Sequence, residues 1–131
     1  MKHLPNINLK SIPHKEHRYE TVGDYFKLFG NWEFRVSKMS NPDYEFLVIF
    51  HELIEWYLTQ KRGITEKDIK KFDIQYEKER EQGLHSQEDE PGFDKKAPYV
   101  KEHTFATKIE KLMAKELGVN WKSYGKEVMS L

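Results

Sequence analysis

Cysteine is absent from this chain of 131 residues, which excludes both disulfide bonds and thiolate metal sites. Net charge is absent too, because 22 basic and 22 acidic side chains cancel, so no long-range field favours nucleic acid or an anionic membrane. No apolar run approaches the roughly 20 residues that a membrane-spanning helix needs, and residues 1–10 contain no apolar stretch typical of a secretory signal. We therefore expect a cytoplasmic protein without a nucleic-acid or membrane partner, which leaves a protein or peptide as the open choice.

Apolar surface is also scarce, since hydrophobic residues make up 37% of the chain and charged residues 34%. The length suits a single domain over residues 1–131 with one modest core. We expect a polar segment at 1–20 and an exposed loop at about 83–97, where charged residues, glycine and proline are dense. A metal crosslink would help to hold so thin a core together, and without cysteine it would need histidine and carboxylate ligands.

The most informative stretch runs from residue 41 to residue 63 and predicts one long helix. Asn41 can accept the first free backbone N–H groups, Pro42 suits the first helical position, and Gly63 can adopt the left-handed conformation that ends a helix. The residues between them are apolar on nearly every side. A helix of that kind is buried by its neighbours, so we place it at the centre of the fold.

Three ionisable residues, His51, Glu52 and Glu55, interrupt this apolar helix. His51 and Glu55 lie one turn apart on the same face, and buried charges of this kind need strong partners. A divalent metal ion fits such a pair, and Glu52 stands where the general base stands in the related zinc-peptidase motif HExxH. The alternative is a core histidine bonded to a carboxylate, with Glu55 paired to an arginine.

A second long helix, predicted over residues 98–117, offers the third ligand, His103. Small residues beside it, such as Ala106, would let another helix approach closely. Glu110 lies two turns, about 10 Å, from His103, so it better suits a supporting role, orienting a histidine or pairing with an arginine. Tyr99 shares this helix face and is assigned the same supporting role. The alternative for His103 is simple helix packing.

Two further candidates have weaker patterns. Asp73 lies close to the apolar stripe of the helix that Thr65 opens, so it is either a ligand, a supporting acceptor, or an aspartate at a surface edge. His14 and His17 have a spacing that could chelate a metal, but they lie in a charged surface stretch where histidines usually bind nothing.

The rest of the pattern indicates a small strand element. Residues 32–37 alternate apolar and polar side chains, which predicts a half-buried strand, and residues 7–12 are expected to pair with it. Residues 21–29 resemble a capped short helix that Gly30 stops. The predicted fold class is α+β, mostly helical, with about four or five helices around the central buried helix at 41–62.

Four stretches, PHKEHRYETVGDYF, WEFRVS, YEFLVIFHELIEW and APYVKEHTFATKIE, together resemble an uncharacterised family of bacterial and phage-associated small proteins. That resemblance implies a phage or prophage setting and no particular activity. A strand followed by an HExx helix resembles the minimal zincin arrangement, in which the strand edge binds a peptide and the helix carries metal and base. The second histidine of that motif is Glu55 here. Glu52-x-x-Glu55 with Asp73 on the next helix resembles the magnesium site of MazG-type nucleotide pyrophosphohydrolases, although Lys70 stands where that motif has glutamate.

The function that the sequence predicts is a divalent-metal-binding protein that works as a metal-dependent hydrolase. His51, Glu55 and His103 would hold the ion, and Glu52 would take a proton from the metal-activated water. The alternatives are a non-enzymatic phage or prophage interaction protein, with a structural metal or a buried histidine–glutamate network, and, third, a MazG-like pyrophosphohydrolase. Zinc suits this ligand set best, while iron, manganese and magnesium stay open.

Overall fold

The structure is a computed structural model that describes residues 2–131; Met1, the first residue of the polar segment 1–20, lies outside them. Its strands are β1 (Ile7–Ile12), β2 (Gly23–Leu28) and β3 (Asn31–Ser37), and its helices are α1 (Pro42–Lys61), α2 (Glu66–Glu81), α3 (Val100–Glu116) and α4 (Trp121–Ser130). Short 3₁₀ helices occur at His14–Glu16 and Pro91–Phe93. With 53% of its residues helical and one small sheet, the chain has the predicted α+β, mostly helical class.

The three strands form one sheet in the order β1-β3-β2. β1 lies parallel to β3, with Ile7 opposite Trp32 and Ile12 opposite Ser37, so the predicted pairing of these two segments is confirmed. The side chains of Trp32 and Phe34, which alternate with polar residues along β3, are buried against α1. This alternation is what places one face of the sheet on the core.

The prediction of a short helix at 21–29 is wrong, because these residues form β2 and its turn. β2 pairs antiparallel with β3, and Phe29 and Gly30 make the two-residue turn between them with φ angles of 51° and 81°. Both central residues of such a turn need a left-handed backbone, so Gly30 serves a hairpin and not a helix end. The Thr21 hydroxyl donates to the carbonyl of Gly23 at 2.7 Å and caps no helix.

The sequence pattern does not indicate β2, because both faces of this strand are covered. Tyr25 points into the core, where it stacks on Phe34 at 5.5 Å between ring centroids. Phe26 points to the other face, where the guanidinium groups of Arg18 and Arg35 lie 3.8 and 4.9 Å from its ring centroid. Two adjacent aromatic residues therefore replace the apolar–polar alternation that marks a half-buried strand.

Helix α1 forms where predicted and lies between the sheet and α3. The Asn41 side chain accepts the backbone N–H of Asp43 at 2.8 Å, and Gly63 has a φ of 74° just beyond the helix end. Trp56, which is 1% exposed, packs its ring 5.5 Å from those of Trp32 and Phe34. The side chains of α1 that point away from this aromatic core are thereby directed toward β2 and α3.

The connection between α2 and α3 spans the predicted loop at 83–97. Most of its side chains are exposed, yet Gly92 is buried against His103 of α3 and Ala97 is buried in the aromatic core. Within residues 2–131, none of the helices is long and apolar enough to cross a membrane.

Candidate metal centre

Three side chains predicted as metal ligands meet between α1 and α3. His51 and Glu55 lie on successive turns of α1, with His51 Nε2 3.2 Å from Glu55 Oε2. His103 reaches them from α3, its Nδ1 being 3.1 Å from His51 Nε2 and 2.9 Å from Glu55 Oε2. All three residues are buried, and Ala106, fully buried on the same face of α3, gives α1 the room to approach. The three form a buried group that could hold a metal ion.

The size of this triangle can be compared with that of a zinc site. Zinc binds nitrogen and oxygen ligands at about 2.0–2.1 Å with tetrahedral geometry, which sets neighbouring ligand atoms about 3.3 Å apart. The three edges here measure 3.2, 3.1 and 2.9 Å. The triangle therefore needs to expand by only a few tenths of an ångström to form one face of a metal tetrahedron.

Glu110 sets the orientation of His51. Its Oε1 lies 2.8 Å from His51 Nδ1, and an ionised carboxylate can only accept a hydrogen bond, so Nδ1 carries the proton and a neutral ring turns the lone pair of Nε2 toward the triangle. The other oxygen of Glu110 accepts the hydroxyl of Tyr124 at 2.7 Å. Burial opposes protonation of His51, but the hydrogen bonds to Glu110 and Glu55 outweigh it and hold the pKa of this histidine well above its usual range.

Glu90 orients His103 in the same way from the loop before α3. Its Oε1 lies 3.2 Å from His103 Nε2, which leaves Nδ1 to face the triangle. Gly92 lies directly against the His103 ring. A Cβ on Gly92 would stand only 2.3 Å from His103 Cγ. Burial opposes protonation here too, but Glu55 and Glu90 outweigh it and raise the pKa of His103 to about 9.

Without a metal ion, protons supply the positive charge of this centre. The pKa of His51 is well above its usual range and that of His103 is about 9, so near neutral pH their inward nitrogens are protonated and donate to Glu55. A metal ion would replace these protons and would meet two nitrogen lone pairs and one carboxylate oxygen that lie about 3 Å from one another. Burial opposes ionisation of Glu55, but the hydrogen bonds from His103 and His51 outweigh it and lower the pKa of Glu55 to about 2.

Glu52 lies beside this centre on the wall of a cavity of about 550 Å³, which the three triangle residues also line. It packs against β2, where a Cβ on Gly23 would come 2.9 Å from Glu52 Cγ. Within residues 2–131 its carboxylate has no hydrogen-bond partner. Burial first, and then the charge of Glu55, raise the pKa of Glu52 to about 8.

The supporting residues predicted from the sequence fall into two groups. Glu110 orients a histidine, one of the two roles expected of it, and pairs with no arginine. Asp73 and Tyr99 are bonded to each other, the Tyr99 hydroxyl donating to Asp73 Oδ1, and neither forms a hydrogen bond with the triangle. Asp73 lines the cavity, so it is not a surface-edge residue. Burial is the main reason that the pKa of Asp73 is raised to about 7.

His14 and His17 take no part in the centre. Their rings share the hydroxyl of Ser37, at 2.7 Å from His14 Nδ1 and 2.9 Å from His17 Nε2. Both histidines thus lie on the sheet side of the fold and bond to the end of β3.

Sequence reasoning missed Glu90, Gly92 and Tyr124. Glu90 lies in a charge-dense loop, where no periodicity distinguishes one acid from another. The adjacent Pro91 and Gly92 were the available signal, because a glycine in a loop permits close approach to another group. Tyr124 shares an apolar helix face with core residues, and nothing in that pattern shows that its hydroxyl has a partner.

No protein-family model, curated protein or solved structure matches this chain. The resemblance to phage-associated small proteins, to zincins and to MazG-type enzymes therefore stays a prediction. What the geometry itself defines is a class of site: a buried histidine–glutamate–histidine centre that could hold a metal ion and that opens onto a cavity.

Proposed function

We propose that this protein is a divalent-metal-dependent hydrolase whose ion is held by His51, Glu55 and His103. The observation that carries the proposal is the triangle of ligand atoms with edges of 2.9–3.2 Å, whose histidines are both turned inward by carboxylates on their outer nitrogens. Carboxylates behind metal-binding histidines fix the ring and strengthen the ligand. With an ion bound, the inward nitrogens would lose their protons, so two lone pairs and one carboxylate oxygen would face the metal.

The cavity favours catalysis over a structural ion. Structural zinc sites are closed by four protein ligands, whereas catalytic sites keep a position for water or substrate. Here the protein supplies three ligands, and all three line a cavity of about 550 Å³. That volume lies within the range of small-molecule sites.

In the proposed reaction a bound divalent ion would supply a water of lowered pKa and polarise the bond to be cleaved. Glu52 would accept the proton of that water, since it follows His51 directly and lines the same cavity. Its pKa near 8 without an ion reflects burial beside Glu55. A nearby positive charge favours the ionised form of a carboxyl, so Glu52 would act as a base near neutral pH. Zinc is the proposed ion because histidine and carboxylate in a four-coordinate site suit it.

One observation favours a second candidate, a MazG-like nucleotide pyrophosphohydrolase. Glu52, Glu55 and Asp73 line the same cavity, as that resemblance requires. Position 70 is lysine, however, and the two histidines of the centre suit zinc better than magnesium. We rank this candidate second.

The test is metal analysis combined with one conservative substitution. Protein purified without chelator should contain about one divalent ion per chain, with zinc the most abundant, and His51→Ala should lose it. Glu52→Gln should keep the ion and the melting temperature but abolish any hydrolysis found with a panel of peptide, ester and nucleotide substrates. Glu81→Gln, at an exposed position of α2, is the matched control and should change none of these.

Each contrary result points to a different function. Protein without metal, even after incubation with zinc, would refute the proposed centre. Loss of the ion in Glu52→Gln would make Glu52 a fourth ligand and the ion structural. Magnesium-dependent cleavage of nucleotides would favour the MazG-like candidate.

A further inference from the structure

Acids outnumber bases in the lining of the cavity beside the centre. Among residues 2–131, ten lining residues are acidic, and the lysines that line the cavity are Lys70 and Lys122. The acidic residues of the lining are Glu20, Asp24, Glu52, Glu55, Glu66, Asp73, Glu77, Glu88, Glu90 and Glu110. Even a doubly charged ion at the centre would leave an excess of negative charge. An anionic substrate would be repelled from such a cavity, and a cationic one attracted.

Most of the inner carboxylates already have partners. Asp24 forms a bidentate pair with Arg18, at 2.8 and 2.9 Å. Glu55, Glu90 and Glu110 bond to the histidines of the centre. These acids are therefore engaged by the protein itself and are not free to receive a charged ligand.

Glu52 and Asp73 are the exceptions. Glu52 lines the cavity and has no hydrogen-bond partner among residues 2–131. The proposed function already gives it the role of base for the metal-bound water. Asp73 bonds through Oδ1 to the Tyr99 hydroxyl, while its Oδ2 has no partner in the same part of the chain. Lys70, one turn earlier on α2, forms no ion pair with it. A carboxylate left in this state inside a cavity lacks the counter-charge that buried acids normally have.

The walls around Asp73 suit the rest of a cationic group. Tyr99, whose hydroxyl is bonded to Asp73, and Tyr19 line the cavity together with it, and aromatic rings attract ammonium and guanidinium groups. The carbon chain of a lysine-like or arginine-like group could pack on the same rings.

We propose that the cavity binds a substrate bearing an ammonium or guanidinium group and that Asp73 is the residue that recognises it. This inference rests on the proposed function, because it takes the bound molecule to be the substrate of the metal centre. Asp73 would select the substrate by a charge-assisted hydrogen bond and would leave the bond to be cleaved to the neighbouring centre.

The experiment compares two probes of the same shape and different charge, N-butylguanidinium and N-butylurea. The guanidinium is always charged and is a poor metal ligand, so it reports on the cavity and not on the ion. Binding would be measured by ligand-observed NMR at pH 8, where Asp73 with its pKa near 7 is ionised. We expect the guanidinium to bind at least about tenfold more tightly than the urea, as a charge-assisted contact allows.

Substitutions then assign the contact. Asp73→Asn should reduce the preference for the guanidinium to about twofold or less, while Asp68→Asn, an exposed aspartate on the same helix, should leave it unchanged. Equal binding of the two probes, or a preference that survives Asp73→Asn in a folded variant, would overturn the proposal.

Both measurements are made on metal-free and on zinc-loaded protein, which separates this proposal from the previous one. If the protein binds no metal but still prefers the guanidinium through Asp73, the recognition site is supported and the metal-dependent hydrolase is refuted. If zinc binds and the preference is absent, the metal centre is supported and the recognition of a cationic substrate is refuted.

Discussion

Protons and a metal ion compete for the same atoms of this centre, so the stability that an ion adds should depend on pH. In the metal-free protein the pKa of His103 is about 9, above the value of about 6.5 expected when the chain is unfolded. A histidine with a raised pKa contributes its full stabilisation below about pH 6.5 and loses it as the pH rises through about 9. A shift of this size corresponds to about 3 kcal/mol.

A bound ion replaces that proton, so the metal-loaded protein should not lose this contribution at high pH. For a domain of this length, 1 kcal/mol changes the melting temperature by about 3–5 °C. We therefore expect the difference in melting temperature between zinc-loaded and chelator-treated protein to widen by about 10 °C between pH 6 and pH 9. Near pH 5 the difference should be small, because protons displace the ion from its ligands.

Differential scanning calorimetry at pH 5, 6, 7 and 9, on one preparation split between zinc and chelator, measures this difference. His103→Gln removes the titrating ligand and should give a small difference at every pH, whereas His3→Gln changes an exposed histidine outside the centre and should behave like the parent. A difference that stays constant or narrows as the pH rises, in protein shown to bind one ion, would refute the reasoning.

Two further predictions test the groups behind the ligands. Glu110→Gln removes the charge that turns His51 inward, so zinc affinity should fall by about 10–100-fold in competition with a chromophoric chelator; unchanged affinity would show that the ring is held by packing alone. Gly92→Ala would place a Cβ 2.3 Å from His103 Cγ, so the ring or the loop must move and zinc affinity should fall, whereas Gly125→Ala, with open space around its Cβ, should leave it unchanged. Equal affinity in the two alanine variants would show that the loop yields without disturbing His103.

The meeting of His51, Glu55 and His103 could be predicted from the sequence because helices impose strict geometry. His51 and Glu55, four residues apart in an apolar helix, had to share a buried face. Small residues beside His103 allowed α3 to approach that face. These inferences needed only helix periodicity and the cost of an unpartnered buried charge.

The pattern of β2 and the loop around Glu90 could not be predicted in the same way, because tertiary contacts decide them. A glycine with a left-handed backbone suits both a hairpin turn and the end of a helix, so Gly30 alone does not distinguish the two. Phe26 is covered by Arg18 and Arg35, and Arg18 lies outside the strand and its hairpin partner. Glu90 gains its role only because the loop folds back on His103, a contact with no local signature.

The choice between an enzyme and a structural metal protein depends on the fourth coordination position. Glu52 follows the proposed ligand His51 in the sequence. If Glu52 also bound the ion, it would occupy the fourth position and close the site. Consecutive residues of a helix point about 100° apart. Glu52 accordingly packs against Gly23 of β2, while His51 points to His103 of α3. To bind the ion, Glu52 would have to leave this wall, and the centre would then contain two negative ligands beside an acidic cavity. From its place on the cavity wall, Glu52 would instead act on a water bound at the side of the ion that faces the cavity, as the proposed function requires. The position of Glu52 on the β2 wall therefore favours the role of a base over that of a fourth ligand.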